Sequence, residues 1–176
     1  MNDWLNNTSI EKFAGHHHND GDNKPRAILI NGKGILQTIW DDGQEYETPR
    51  AIFTVQKDMR YRFRMINAGI LYCPIEISID RHNLTIIGSD GNDVKPYEVE
   101  SLIIMAGERY DFVINANQEI KNYWFRAKGF ADCGNHKVFQ TAILNYKGID
   151  KYELPDGPLL NYDTMSREGK VRSNLS

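Results

Sequence analysis

The stretch PIEISIDRHNLTIIGSD (Pro74–Asp90) decides the fold. In its first half apolar and polar residues alternate strictly, with Ile75, Ile77 and Ile79 on one side and Glu76, Ser78 and Asp80 on the other. A period of two marks a β-strand with one face on a core and one face outward. Arg81-His82-Asn83 supplies turn chemistry, and LTIIGSD reads as the returning strand. His82 therefore reads as a turn residue rather than a catalytic base, and Glu76 as an ordinary outward strand residue.

The same pattern extends in both directions. RYRFRMI (Arg60–Ile66) sets Tyr61, Phe63 and Met65 against Arg60, Arg62 and Arg64. ESLIIMA and ERYDFVINA follow, with Ala106-Gly107-Glu108 as the turn between them, and then NYWFRAKG and QTAILNYKG. Only the short TSIEKFA near the N-terminus suggests a helix. A series of short strands separated by turn residues predicts an all-β, two-sheet sandwich or barrel. Beyond about Gly148 the chain becomes charged and Pro-containing without strand pattern, which reads as a linker or a segment that packs on something outside this chain.

The 176 residues are 40% hydrophobic, enough for a core, and carry a net charge of −3 with bases scattered among acids. That balance argues against nucleic acid or an anionic membrane as partner. The longest apolar run, around Leu102–Ala106, is too short to span a bilayer. MNDWLNNTSIEK has neither the basic start nor the apolar run of a secretory leader. Asn6, Asn7, Asn83 and Asn174 each begin an Asn-x-Ser/Thr sequon and are glycosylation candidates. Cys73 and Cys133, the only cysteines, are disulfide candidates, with each other or with a partner outside this chain.

Metal chemistry has one place to reside. His16-His17-His18 contains a His-x-His pair, with Asp20 and Asp22 close by as oxygen donors. The surrounding Asn, Asp and Gly and the closing Lys24-Pro25 are loop chemistry, which favours a polar loop over a built site. Cys133-Gly134-Asn135-His136 is half a metal motif without a second pair of ligands. Asn31-Gly32-Lys33-Gly34 lacks the Ser/Thr and following helix of a phosphate loop. No Ser/His/Asp arrangement or carboxylate pair can be assigned from spacing, so the residues alone nominate no catalytic group.

The order of segments is more specific than any one of them. DWLN, ILINGKG, YRFRMINAG, IEISIDRHNLTIIGSDG, VESLIIMAGERYDFVINANQ, NYWFRAKG and TAILNYKG together resemble the middle domain of three-domain multicopper oxidases of the laccase type. The HHHNDGDNKP loop before ILINGKG looks most like arthropod laccases. The resemblance implies a cupredoxin-like Greek-key β-sandwich at residues 25–148, preceded by an N-terminal segment and His/Asp-rich loop (1–24) and followed by a linker towards a third domain (149–176).

What the resemblance implies for function follows from the family. Its enzymes take single electrons from phenolic donors at a type 1 copper and reduce dioxygen to water at a trinuclear copper cluster. The family's His-Cys-His and His-x-His ligand motifs lie in the first and third domains. Neither cysteine here is flanked by histidine, so His16 and His18 are a weak alternative as ligands and no copper is expected on this chain alone. The chain is then a fragment without its own activity, with Met1 internal. Its partners are the first and third domains of the same parent, and the missing leader does not bear on secretion, which the family and sequons favour. The middle domain spaces the outer two and forms one wall of the phenol pocket. Fungal relatives carry an acid directly after the cysteine matching Cys73, where it helps accept the phenolic proton; Pro74 stands there in this chain, leaving Glu76 as the nearest substitute. In those relatives the matching cysteine bonds to the first domain. The competing readings are a free-standing β-sandwich binding module and a small metal-binding protein using His16, His18 and His136.

Overall fold

The computed structural model describes residues 1–4, 25, 27–35, 39–41, 44–46, 48–70, 72–135 and 137–157. The His16–His18 loop, Asp20, Asp22, the TSIEKFA segment, Asn6, Asn7, His136 and Asn174 lie outside the described residues.

Alternation converts into two packed sheets. One has the order β10-β7-β12-β13-β5, built from β5 (Ile52–Val55), β7 (Ile75–Ile79), β10 (Ser101–Ile104), β12 (Asn122–Gly129) and β13 (Phe139–Tyr146). The other has the order β6-β11-β8-β9, from β6 (Arg60–Ile66), β8 (Leu84–Ser89), β9 (Asn92–Val99) and β11 (Arg109–Asn115). Every pair is antiparallel except β13 with β5. Two small ladders complete the strands: β1 (Asn2–Trp4) with β2 (Ala27–Leu29), and β3 (Ile39–Asp41) with β4 (Gln44–Tyr46). A short helix, α1 (Asp132–Asn135), lies between β12 and β13.

The core is the meeting of the two inner faces. Ile75, Ile77, Ile79, Phe125, Ala142 and Leu144 come from the first sheet, and Met65, Leu84, Ile86, Phe112 and Ile114 from the second. Phe63 stacks on Phe112 at 5.2 Å between ring centroids and meets Phe53 edge-on at 5.3 Å. These offset and edge contacts are the arrangements aromatic quadrupoles favour. Chain reversal uses positive φ at Asp90 (50°) with Gly91 (90°) and at Gly107 (87°), residue types that tolerate it, and also at Arg81 (61°).

The glycines of ILINGKG have structural reasons. Gly32 sits at φ 73° in the turn closed by Ile30 and Lys33, whose backbones exchange bonds of 2.8 and 3.0 Å. A Cβ at Gly34 would lie 2.2 Å from Gln140 Nε2. Gln140 needs that space because it is buried and bonds the carbonyls of Ile28 (3.1 Å) and Ile35 (3.2 Å), fastening β13 to this loop.

Two expectations need correction. The outward face of the first sheet is covered at its centre: all 8 residues of β12 are buried, Arg126 and Lys128 included. Residues 149–153 also turn back onto their own sandwich. Asn122 Nδ2 donates to the carbonyls of Asp150 (2.8 Å) and Glu153 (2.7 Å), and Asn145 Nδ2 to that of Ile149 (3.1 Å). These buried amides satisfy backbone carbonyls that would otherwise need water.

Candidate functional site

The residues singled out from the sequence fall in separate places. Cys73, just before β7, is bonded to Cys133 in α1, with Cα atoms 5.5 Å apart. Both strands deliver their cysteines to the same end of the first sheet: Phe130 N donates to Pro74 O at 2.8 Å, and Gly129 pairs with Ile75. A bridge closing a loop of 60 residues stabilises by roughly 4 kcal/mol on chain-entropy grounds.

Glu76 follows on β7, between Ile103 of β10 and Lys128 of β12. Its side chain does point outward, as alternation requires, but it is 8% exposed rather than an ordinary solvated residue. Ser101 Oγ donates to Glu76 Oε1 at 2.9 Å. The correction has a simple cause: period two assigns a face, and only long-range neighbours decide whether water reaches it. Around this end Tyr72, Ile103, Met105 and Phe130 remain exposed, so a covered polar row is rimmed by apolar side chains.

His82 is the turn residue expected, and it has a further role. It lies in the turn, whose amide closes on Ile79 O at 3.0 Å, yet it is 4% exposed. Its Nδ1 is 2.7 Å from Asp80 O, and a carbonyl only accepts, so Nδ1 carries the proton. Nε2 then accepts from the Tyr146 hydroxyl at 2.7 Å, while Tyr146 oxygen accepts from Gln118 N at 3.2 Å. Tyr123 meets the imidazole edge-on at 5.0 Å. Burial lowers the His82 pKa, with the Asp80 carbonyl and carboxyl pulling the other way, and burial raises that of Tyr146. A neutral imidazole with both nitrogens engaged is a structural tie across the sandwich. Sequence reading missed it because Tyr146 is 64 residues away.

Asn83, next to His82, is exposed and its Nδ2 donates to Glu98 Oε1 at 2.7 Å. Acid–base pairs differ by sheet. Arg126 and Asp80 are joined through Nη2 (2.7 Å) and Nε (2.9 Å), with side chains 11% and 34% exposed. Arg62 with Asp111 and Arg109 with Asp90 lie on the open face of the second sheet.

Comparison with known proteins gives these positions a family. The family described as multicopper oxidase matches residues 1–149. A laccase of Trametes maxima is 38% identical over 157 residues, covering 84% of this chain and 30% of the relative. Laccase-3 of Trametes villosa is 40% identical over 133 residues, 70% of this chain and 25% of the relative. Among solved structures, the laccase of Botrytis aclada superposes with a TM-score of 0.68 at 26% identity, over 90% of this chain and 30% of that one. Fet3p, a multicopper oxidase that functions in iron import, shares the fold with a TM-score of 0.63 at 15% identity, over 91% of this chain and 29% of that one. The sandwich is thus cupredoxin-like, and the chain spans less than a third of the length of these relatives. The relatives named are fungal, so the comparison supports laccase homology and not the arthropod affinity suggested by the HHHNDGDNKP loop.

The described residues do not fit a copper centre. Both thiols are used in the disulfide, and a type 1 site needs a thiolate. His82 is the one histidine among the described residues, and both its nitrogens are engaged. No group of three or more His, Cys, Asp or Glu side chains converges among the described residues.

Proposed function

This chain belongs to the multicopper oxidase family, and we propose that it is the central, copper-free cupredoxin-like domain of a laccase-like oxidase. The observation that carries the reading is the match over 1–149 combined with a disulfide that removes both cysteines from metal chemistry. The parent takes single electrons from phenolic donors and reduces dioxygen to water at coppers held by a first and a third domain of the same chain. This domain spaces those two and forms one wall of the donor pocket.

The exposed Tyr72, Ile103, Met105 and Phe130 support a face that meets other parts of the parent, since clustered apolar exposure marks contact surfaces. Glu76 belongs to this wall as a supporting residue. Its carboxyl, covered and bonded to Ser101, shapes the wall rather than accepting a donor's proton. Secretion of the parent accords with the disulfide and with glycosylation at Asn6, Asn7, Asn83 and Asn174. Residues 25–148 hold most of the domain, Asn2–Trp4 add a strand to it and residues 149–153 pack back on it, and the rest of 149–176 leads on towards the third domain.

Copper stoichiometry of the purified chain after copper exposure and desalting tests the reading. The expected result is far less than one copper per chain and no intense blue absorption. Tight, stoichiometric copper that disappears on replacing His16 and His18 would overturn it in favour of a metal-binding protein.

A further inference from the structure

On the open face of the second sheet, Arg64 stands opposite Asp111, Asp111 opposite Gly88, and Gly88 opposite Asp93. This row across β6, β11, β8 and β9 exists because β8 shifts register at Gly88 against both neighbours. Bulges re-aim side chains and are over-represented beside functional sites. Here the shift brings a residue without a side chain to the centre of the row. A cavity of about 230 Å³ lies over it.

The chemistry of the lining selects the occupant. Arg62, Arg64 and Arg109 are matched in number by Asp90, Asp93 and Asp111, so the rim carries no net charge. Arg62 is bonded to Asp111, and Arg109 binds Asp90 through its backbone N (2.9 Å) and Nη2 (2.8 Å). Arg64, Asp93 and Asn92 have side chains without a partner among the described residues. With Asp111 held by Arg62, an anion would gain Arg64 but face Asp93, and a cation the reverse. Hydroxyl groups both donate and accept, so a neutral polyol satisfies guanidinium, carboxyl and amide together. Ile66, 53% exposed at the cavity edge, offers an apolar surface to C–H groups. The volume falls below the roughly 300–1,000 Å³ of drug-sized sites, which suits one small ring.

We propose that this cavity binds a single sugar residue, held between Arg64, Asn92 and Asp93 over the Gly88 floor. The site is independent of copper chemistry and stands or falls apart from the oxidase reading.

Amide-resolved NMR of the chain, titrated with the methyl glycosides of glucose, mannose and galactose and with sulfate as anion control, tests it. The expected result is saturable shifts at Gly88, Gly91 and Asn92 with a millimolar dissociation constant for at least one glycoside. Asp93→Ala and Arg64→Ala each weaken binding by about tenfold, the loss of a hydrogen bond to a charged group. Arg60→Ala, outside the cavity, leaves it unchanged. Gly88→Val fills the floor and abolishes binding; should that variant not fold, the two exposed-residue variants still decide. No saturable shift with any glycoside, binding that survives both alanine variants, or sulfate saturating these amides where glycosides do not, would overturn the proposal.

Discussion

The outward faces of the two sheets look alike in sequence and differ in the structure. On the second sheet, Arg60, Arg62 and Arg64 of β6 alternate with Tyr61, Phe63 and Met65 and stand in solvent. On the first, Arg126 and Lys128 alternate with Phe125 and Ala127 in the same way, yet both are buried, as are Trp124 and Ile143 beside them. Arg50 lies over the Trp124 ring at 5.4 Å and donates from Nε to Thr141 at 3.3 Å, so the face is roofed. The first sheet's outward face is covered over its centre, at Glu76, Arg126 and Lys128, and opens at its ends, at Ile103 and Phe139; the second sheet has one dry face and one wet one. Alternation assigns side chains to faces, and coverage by distant segments assigns faces to water.

Substitutions can break this contrast. Trp124→Ala should have the largest effect, about 3–5 kcal/mol by chemical denaturation, because a fully covered indole is lost; Arg60→Ala should change stability by about 0.5 kcal/mol or less. Equal small effects would mean that the roof is not there. Cys73→Ser with Cys133→Ser should cost about 2–5 kcal/mol, and reduction of the native chain should reproduce it.

A smaller effect sharpens the comparison of ion pairs. Arg126→Ala leaves Asp80 without its covered partner and should cost about 2–3 kcal/mol, reduced from the fully buried case because Asp80 is a third exposed. Arg62→Ala, on the open face, should cost less than about 1 kcal/mol. The two denaturation midpoints, measured side by side, give the ratio directly.

The pH dependence of His82 is the subtlest. Its folded pKa lies below the ordinary value because burial disfavours the imidazolium. As pH falls below about 6.5 the unfolded chain takes up a proton that the folded chain does not yet take, so stability decreases towards acid and is full above that value. Melting temperature against pH should show this loss in the native chain and lack it in His82→Phe. An unchanged slope in the variant would assign the effect to other groups.

Much of the fold is legible in the residues. The strands β6, β7, β8, β10, β11, β12 and β13 lie where period two and turn residues place them, because each has one face on the core. β9 escapes because its side chains are mostly exposed and Pro96 sits within it, which an edge strand tolerates and an interior strand does not. β5 is short and pairs in parallel at an edge of the first sheet. The β3–β4 ladder had a readable signal, the Asp42-Gly43 dipeptide between its strands. The outward placement of Glu76 and the turn position of His82 were legible; their burial and partners were not, since Ser101 and Tyr146 reach them only through the fold.

The central claim is that this domain works within a larger oxidase, and reading the coding sequence outward from both ends tests it most directly. The account predicts a domain bearing His-x-His pairs upstream and one bearing His-Cys-His downstream, in one reading frame. A start codon with its leader immediately before Met1 and a stop immediately after Ser176 would contradict it, leaving a copper-free sandwich with the family's frame and none of its redox chemistry.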